Sequence, residues 1–227
     1  MVAVVALAGG GAYIYFFSGL RSAPTTLGLS TPSPTATATA GTGLAGTWTV
    51  TTGSLAGYRV KELFVGQTSK HDAVARTSTV SGSIAVSGEA TSGYKVSAIT
   101  ITAVLTDLHS VDSVAGRDVT QRDGYVSRQM NLQQFPNATF TATSVTVPGP
   151  VTSQTVDLSI PGQLTIHGVT KDVTATAKAQ ETGGKLEIAG SVATVMTDYG
   201  VSPPSVPFTT VDPQVTVEFQ IFLTKAS

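Results

Sequence analysis

The chain has no cysteine, which removes disulfides, thiolate metal sites, a cysteine nucleophile and a lipid-modified N-terminal cysteine. Charge is scarce as well: Asp, Glu, Lys and Arg make up 12% of the residues, about half the usual share. Thirteen basic against fourteen acidic side chains leave a net charge of −1. No basic run is present that could neutralise a row of phosphates, so a nucleic-acid partner is set aside. Histidine is limited to His71, His109 and His167, and no two are spaced to bind one metal from a single strand or helical turn. There is no G-x-S-x-G elbow, and no carboxylate pair sits in an apolar setting that would tune it for acid catalysis. The sequence therefore offers no catalytic and no metal-binding constellation, and a non-enzymatic role is expected.

What is present is apolar and small. Val2 to Leu20 carries no charge and ends among Tyr13, Tyr15, Phe16 and Phe17, aromatics suited to a membrane interface. Residues 1–20 are expected to form a transmembrane anchor, with a cleaved signal segment as the rival reading. No Lys or Arg precedes this stretch and Arg21 follows it, the reverse of the positive-inside pattern for a C-terminus facing outward. Residues 21–43 are rich in Pro, Thr, Ser and Ala and read as a disordered linker. At roughly 3 Å per residue it would hold the next domain at most a few tens of ångströms from the bilayer. The folded part is expected over 44–227.

That part alternates with period two, the pattern of half-buried strands. Ile99, Ile101, Ala103 and Leu105 share a face in one run; Val156, Leu158 and Ile160 do so in another. Val215, Val217, Phe219, Ile221 and Leu223 form the cleanest run. Some eight to ten such strands predict an antiparallel barrel or sandwich. Between Asp107 and Phe135 the alternation stops, and Val119, Arg122, Tyr125 and Val126 fall on one helical face. One or two short helices are expected there, lying across an end of the barrel as a lid or a plain crossover. The charges Arg117, Asp118, Arg122, Asp123 and Arg128 read as a solvated, salt-bridged surface. The functional alternative is an Arg that meets a polar ligand headgroup.

The stretch GQLTIHGVTKDVTATA, Gly162 to Ala177, joins two alternating runs. Leu164 and Ile166 share one face, which leaves His167 with Gln163 and Thr165 on the other, beside a turn at Gly168. His167 is expected to bond backbone or Asp172 there, as a turn residue. This stretch resembles the signature of the YceI-like family of bacterial extracytoplasmic proteins. GYRVKELF, STVSGSIAV, RDGYV followed by FPNATFTAT, and the closing VDPQVTVEFQIFL agree with it in order, over about Gly46 to Leu223.

The resemblance implies an all-β fold, an eight-stranded antiparallel lipocalin-like barrel, that binds a polyisoprenoid lipid such as a prenyl quinone in its lumen. Ala103, Ala142, Ala175, Ala177 and Gly190 would leave such a lumen room. Lining is expected from Phe140, Leu164, Ile166, Ala175, Ala177, Phe219 and Ile221, with Tyr125, Met130 and Phe135 near the helical lid. Where members of the family often carry histidines, this chain has Glu62 and Tyr125. The anchor and linker resemble actinobacterial members, which implies a barrel on the extracytoplasmic side of the cytoplasmic membrane. The expected partners are thus an isoprenoid lipid and that membrane, with a homodimer left open. The alternative is a structural or interaction domain whose barrel is filled by its own side chains.

Overall fold

In the computed structural model, residues 21–31 and 43–226 are described. Wherever apolar and polar residues alternate, a strand forms: β1 (Gly46–Val50), β2 (Leu55–Phe64), β3 (His71–Thr77), β4 (Val80–Glu89) and β5 (Gly93–Val104). The one α-helix among the described residues follows, α1 (Gln121–Gln129), and then β6 (Asn137–Pro148), β7 (Thr155–Ile166), β8 (Val169–Thr182), β9 (Lys185–Val195) and β10 (Thr209–Lys225). All pairings are antiparallel, and β4 to β10 pair in chain order. β1 closes the ring by pairing with both β10 and β4. The result is a closed eight-stranded barrel, its shortest ladder the one between β6 and β7, where residues 139–141 pair with 163–165.

One end of the barrel is built differently. β2 carries on along β10 beyond β1, and β3 is hairpinned onto its outer edge. The exposed edge of β3 is met by His109–Ser110, so the segment leading to α1 finishes this wall. The opposite end is solid. Trp48, Ile84, Leu158, Leu186, Ile221 and Leu223 are buried there in one cluster, and the Trp48 indole N–H donates to the Leu44 carbonyl at 2.8 Å. Close packing extends to the backbone at Gly190, where a Cβ would lie 2.2 Å from the Thr176 carbonyl and 2.7 Å from Ala177 Cβ.

The turn of the GQLTIHGVTK motif pairs Ile166 with Val169. His167 and Gly168 stand between them at φ 53° and 74°, the two positive angles a type I′ hairpin requires. His167 Nδ1 is 3.0 Å from the Tyr199 carbonyl, so the histidine bonds backbone and Asp172 instead meets Gln163.

One expectation changes here. Residues 21–31 do not form a free tether. Arg21–Ser22 pair with Ser113–Val114, and the chain then runs along the outside of the barrel. Arg59 donates to the Pro24 carbonyl at 2.7 Å and Arg76 to the Thr25 carbonyl at 2.6 Å. At Ser30 both the backbone N–H and the hydroxyl donate to Glu187, and Gln180 donates to the Ser30 carbonyl. The physical reason is that polar side chains on the outer face, Glu187, Gln180 and Glu218 among them, are buried and require partners. The membrane span expected over 1–20 lies outside the described residues, and so does the rest of the linker, 32–42. Among the described residues no helix is long and apolar enough to cross a membrane.

Candidate functional site

At the helix end the barrel encloses a cavity of about 580 Å³. The pleat of β2 turns alternate residues inward, so Ala56, Tyr58, Val60, Glu62 and Phe64 form one wall. Val215 and Val217 of β10, Thr194 of β9 and Ile166 of β7 form another. α1 closes the space with Arg122, Tyr125, Val126 and Gln129, followed by Met130. This face of α1 is the one its helical periodicity marks. Asp123 in the first turn and Arg128 in the last complement the helix dipole.

A buried ionic network ties α1 to the strands. Arg122 Nη2 donates to Glu62 Oε1 at 2.7 Å, and Nη1 donates to Asp112 Oδ1 at 2.7 Å and to the Ser110 hydroxyl at 3.1 Å. His71 Nε2 lies 2.7 Å from Asp112 Oδ2, and the Val74 N–H donates to Asp112 Oδ1 at 2.9 Å. Burial works to raise the Asp112 pKa, but the hydrogen bonds from His71, Arg122 and Val74 outweigh it and hold the carboxyl well below the carboxylate range. For Arg122, burial opposes the charge, while Asp112 and Glu62 outweigh burial and raise its pKa. The expectation of a solvated charged surface is therefore corrected at Arg122. Its helix position looks like any exposed arginine, and its partners come from β2 and from the segment between β5 and α1.

Ligand atoms of Glu62, His71 and Asp112 lie within 4.8 Å of one another, a grouping that spacing along the chain hides. The guanidinium of Arg122 already supplies a cation there. Both Asp112 oxygens and Glu62 Oε1 accept from it, so the cluster is an arginine-centred ion network.

Three phenols, Tyr58, Tyr125 and Tyr199, line the cavity. Burial pushes the Tyr58 hydroxyl far above its ordinary pKa, keeping it a neutral donor. Tyr199 is also pushed up, by burial and then by the charge of Asp198. Its hydroxyl is buried without a hydrogen-bond partner among the described residues, although the side chain lines the cavity.

Of the residues expected to line a lumen, Tyr125, Met130 and Ile166 are against the cavity. Leu164, Ala175, Ala177 and Ile221 lie in the packed cluster, with Phe140 and Phe219 half-buried against it. Phe135 meets His167 edge-on at 5.1 Å. Tyr58, Glu62 and Tyr199 were not anticipated as lining. For the first two a signal existed, since Glu62 puts a charge on the inward parity of AGYRVKELF. Tyr199 sits in a short 3-10 turn, where no periodicity points.

The chain is similar to several solved structures. A polyisoprenoid binding domain from Saccharophagus degradans, implicated in plant cell wall breakdown, is 14% identical, with a TM-score of 0.52 over 79% of this chain and 98% of its own. BcnA of Burkholderia cenocepacia is 14% identical, with a TM-score of 0.47 over 73% of this chain and 95% of its own. A YCEI protein of Campylobacter jejuni, in mutant form, gives 13% and 0.49 over 73% and 89%. No curated protein sequence matches the chain. The YceI-like domain matches residues 48–223, and the chain belongs to the YceI-like family.

Proposed function

We propose that this barrel binds an isoprenoid lipid in the cavity beneath α1 and carries it without chemical conversion. The observation that carries the reading is the cavity itself, about 580 Å³ of largely apolar space inside a closed barrel, within the range of small-molecule sites. At roughly the volume of one water, 30 Å³, per heavy atom, it takes about twenty such atoms, or about four isoprene units. A chain of that length gains at least a lipid-like environment, and the bilayer it leaves sets the affinity the lumen must match. The fold shared with the Saccharophagus polyisoprenoid binding domain supports the ligand class. The uncharged stretch Val2–Leu20 supports a membrane tether, and the extracytoplasmic placement of the barrel rests on the family resemblance alone.

The alternative of a barrel filled by its own side chains describes the far end, where Leu223 is fully buried and Trp48 nearly so. Cavity and packed core therefore divide one lumen. The test is organic extraction of the full chain, purified from native-host membranes, followed by mass spectrometry. A prenyl lipid at near-equal molar amount is expected, and its repeated absence would overturn the carrier reading.

A further inference from the structure

We infer that the mouth of the cavity is a bilayer-docking face, held against the membrane by the chain segment that precedes the barrel. The inference deepens the lipid-carrier reading, on which its purpose rests, but it stands on separate observations.

The first is where the described chain begins. Arg21 is fixed to the barrel: its Nη1 donates to the Ser69 carbonyl at 3.1 Å and to the Ser69 hydroxyl at 2.8 Å, and its backbone pairs with Val114. Ser69 belongs to the loop between β2 and β3, at the helix end of the barrel. From there residues 21–31 run along the outer wall to Glu187 near the packed end. The uncharged stretch Val2–Leu20 joins Arg21 through one peptide bond, about 3.8 Å from Cα to Cα. The point where that stretch joins the barrel, Arg21, is thus at the barrel's open end.

The second is what surrounds that point. Val65 and Phe208 are 67% and 57% exposed, the two most exposed large apolar side chains among the described residues. They are neighbours, since the Val65 N–H donates to the Phe208 carbonyl at 3.0 Å. Val65 stands in the same loop as Ser69, and Phe208 lines the cavity. Beside them Arg117, also lining the cavity, sits with its guanidinium 4.3 Å over the Phe64 ring. An apolar tip bordered by a cation suits the interface of an anionic bilayer. Exposed apolar side chains continuous with an apolar cavity mark a route for a lipid to pass between the two without crossing water.

The lack of native cysteine makes the test direct. Val65→Cys, Phe208→Cys and, at the packed end, Lys185→Cys each give a single thiol for an environment-sensitive NBD dye. The labelled full chain is reconstituted into phosphatidylcholine and phosphatidylglycerol vesicles that carry nitroxide-labelled acyl chains. Quenching at least twofold stronger at 65 and 208 than at 185 is expected. Equal quenching at the three sites, stronger quenching at 185, or a chain that does not co-float with the vesicles would each overturn the inference. Prenyl lipid is measured in the same native preparations, so the carrier reading stands or falls on extraction and the docking reading on quenching.

Discussion

Replacing Arg122 with Met tests how α1 is held over the cavity. No residue of the helix is fully buried, so apolar packing contributes little to its position. Its attachment rests on Arg122, on Asp123, whose carboxylate accepts from the Ser110 N–H and hydroxyl, and on Gln129, whose side-chain amide donates to the Ser202 carbonyl. Without the guanidinium, Asp112 keeps His71 and the Val74 N–H, but Glu62, with 4% side-chain exposure, loses its ion-pair partner. Removing one member of a buried pair costs about 3–5 kcal/mol. In a chain of this size each kcal/mol shifts Tm by roughly 2–4 °C, so Arg122→Met lowers Tm by about 6–20 °C. Adding Glu62→Gln removes the stranded charge and restores about 1–2 kcal/mol, within the usual range of couplings between contacting residues. Thermal unfolding by circular dichroism reads both values, and hydrogen exchange shows early loss of protection over 121–129. A Tm change of under about 2 °C in Arg122→Met, or no coupling to Glu62→Gln, would refute the network as the fastening of the helix.

Three further outcomes follow from the same geometry. Val217→Trp puts bulk into the cavity and abolishes lipid retention at near-normal Tm, whereas Ala177→Trp overpacks the closed end and destabilises by about 1–3 kcal/mol or more; equal Tm losses in the two variants would contradict the division of the lumen. The folded pKa of Asp112 lies below its unfolded value, so its contribution is complete above about pH 4 and is lost as pH falls toward the folded value. Urea midpoints should therefore decline at the acid extreme, with a shallower decline in Asp112→Asn, and an unchanged acid slope in that variant would sink the assignment. Tyr199→Phe removes a buried hydroxyl that lacks a partner among the described residues, a defect worth about 1–3 kcal/mol; Tm of lipid-free protein should rise while retention of an oxygen-bearing lipid falls, and a lower lipid-free Tm would count against it.

Strands were legible because one face of each packs inward, and period two survives in composition alone. The run from Val215 to Leu223 became β10 with that parity, and Gly168 marked a hairpin its φ of 74° requires. The fate of each inward residue was less legible. Val217 and Leu223 share a face on one strand, yet the first borders empty space and the second is fully buried. That difference depends on how far β2 diverges from β1 along β10, a matter of topology. The ionic network was hidden for a similar reason. Glu62, His71, Asp112 and Arg122 lie on separate segments, and only the crossing of the segment between β5 and α1 over the edge of β3 brings them together. The ordered course of residues 21–31 left no trace in Pro- and Thr-rich composition, because its bonds are made by backbone atoms to side chains far along the chain.

Among the described residues the packed far end leaves the lumen open at the helix end. A guest that enters beneath α1 has no exit opposite and must leave as it came, so a tail that goes in first comes out last. Its polar end would stay beside Tyr58, Glu62 and Arg122, where a membrane or a receiving protein meets it first. A cargo longer than the space would trail outside instead of threading through. Such a barrel measures its guest by depth, and a single bulky residue on the floor would shorten the longest chain it accepts.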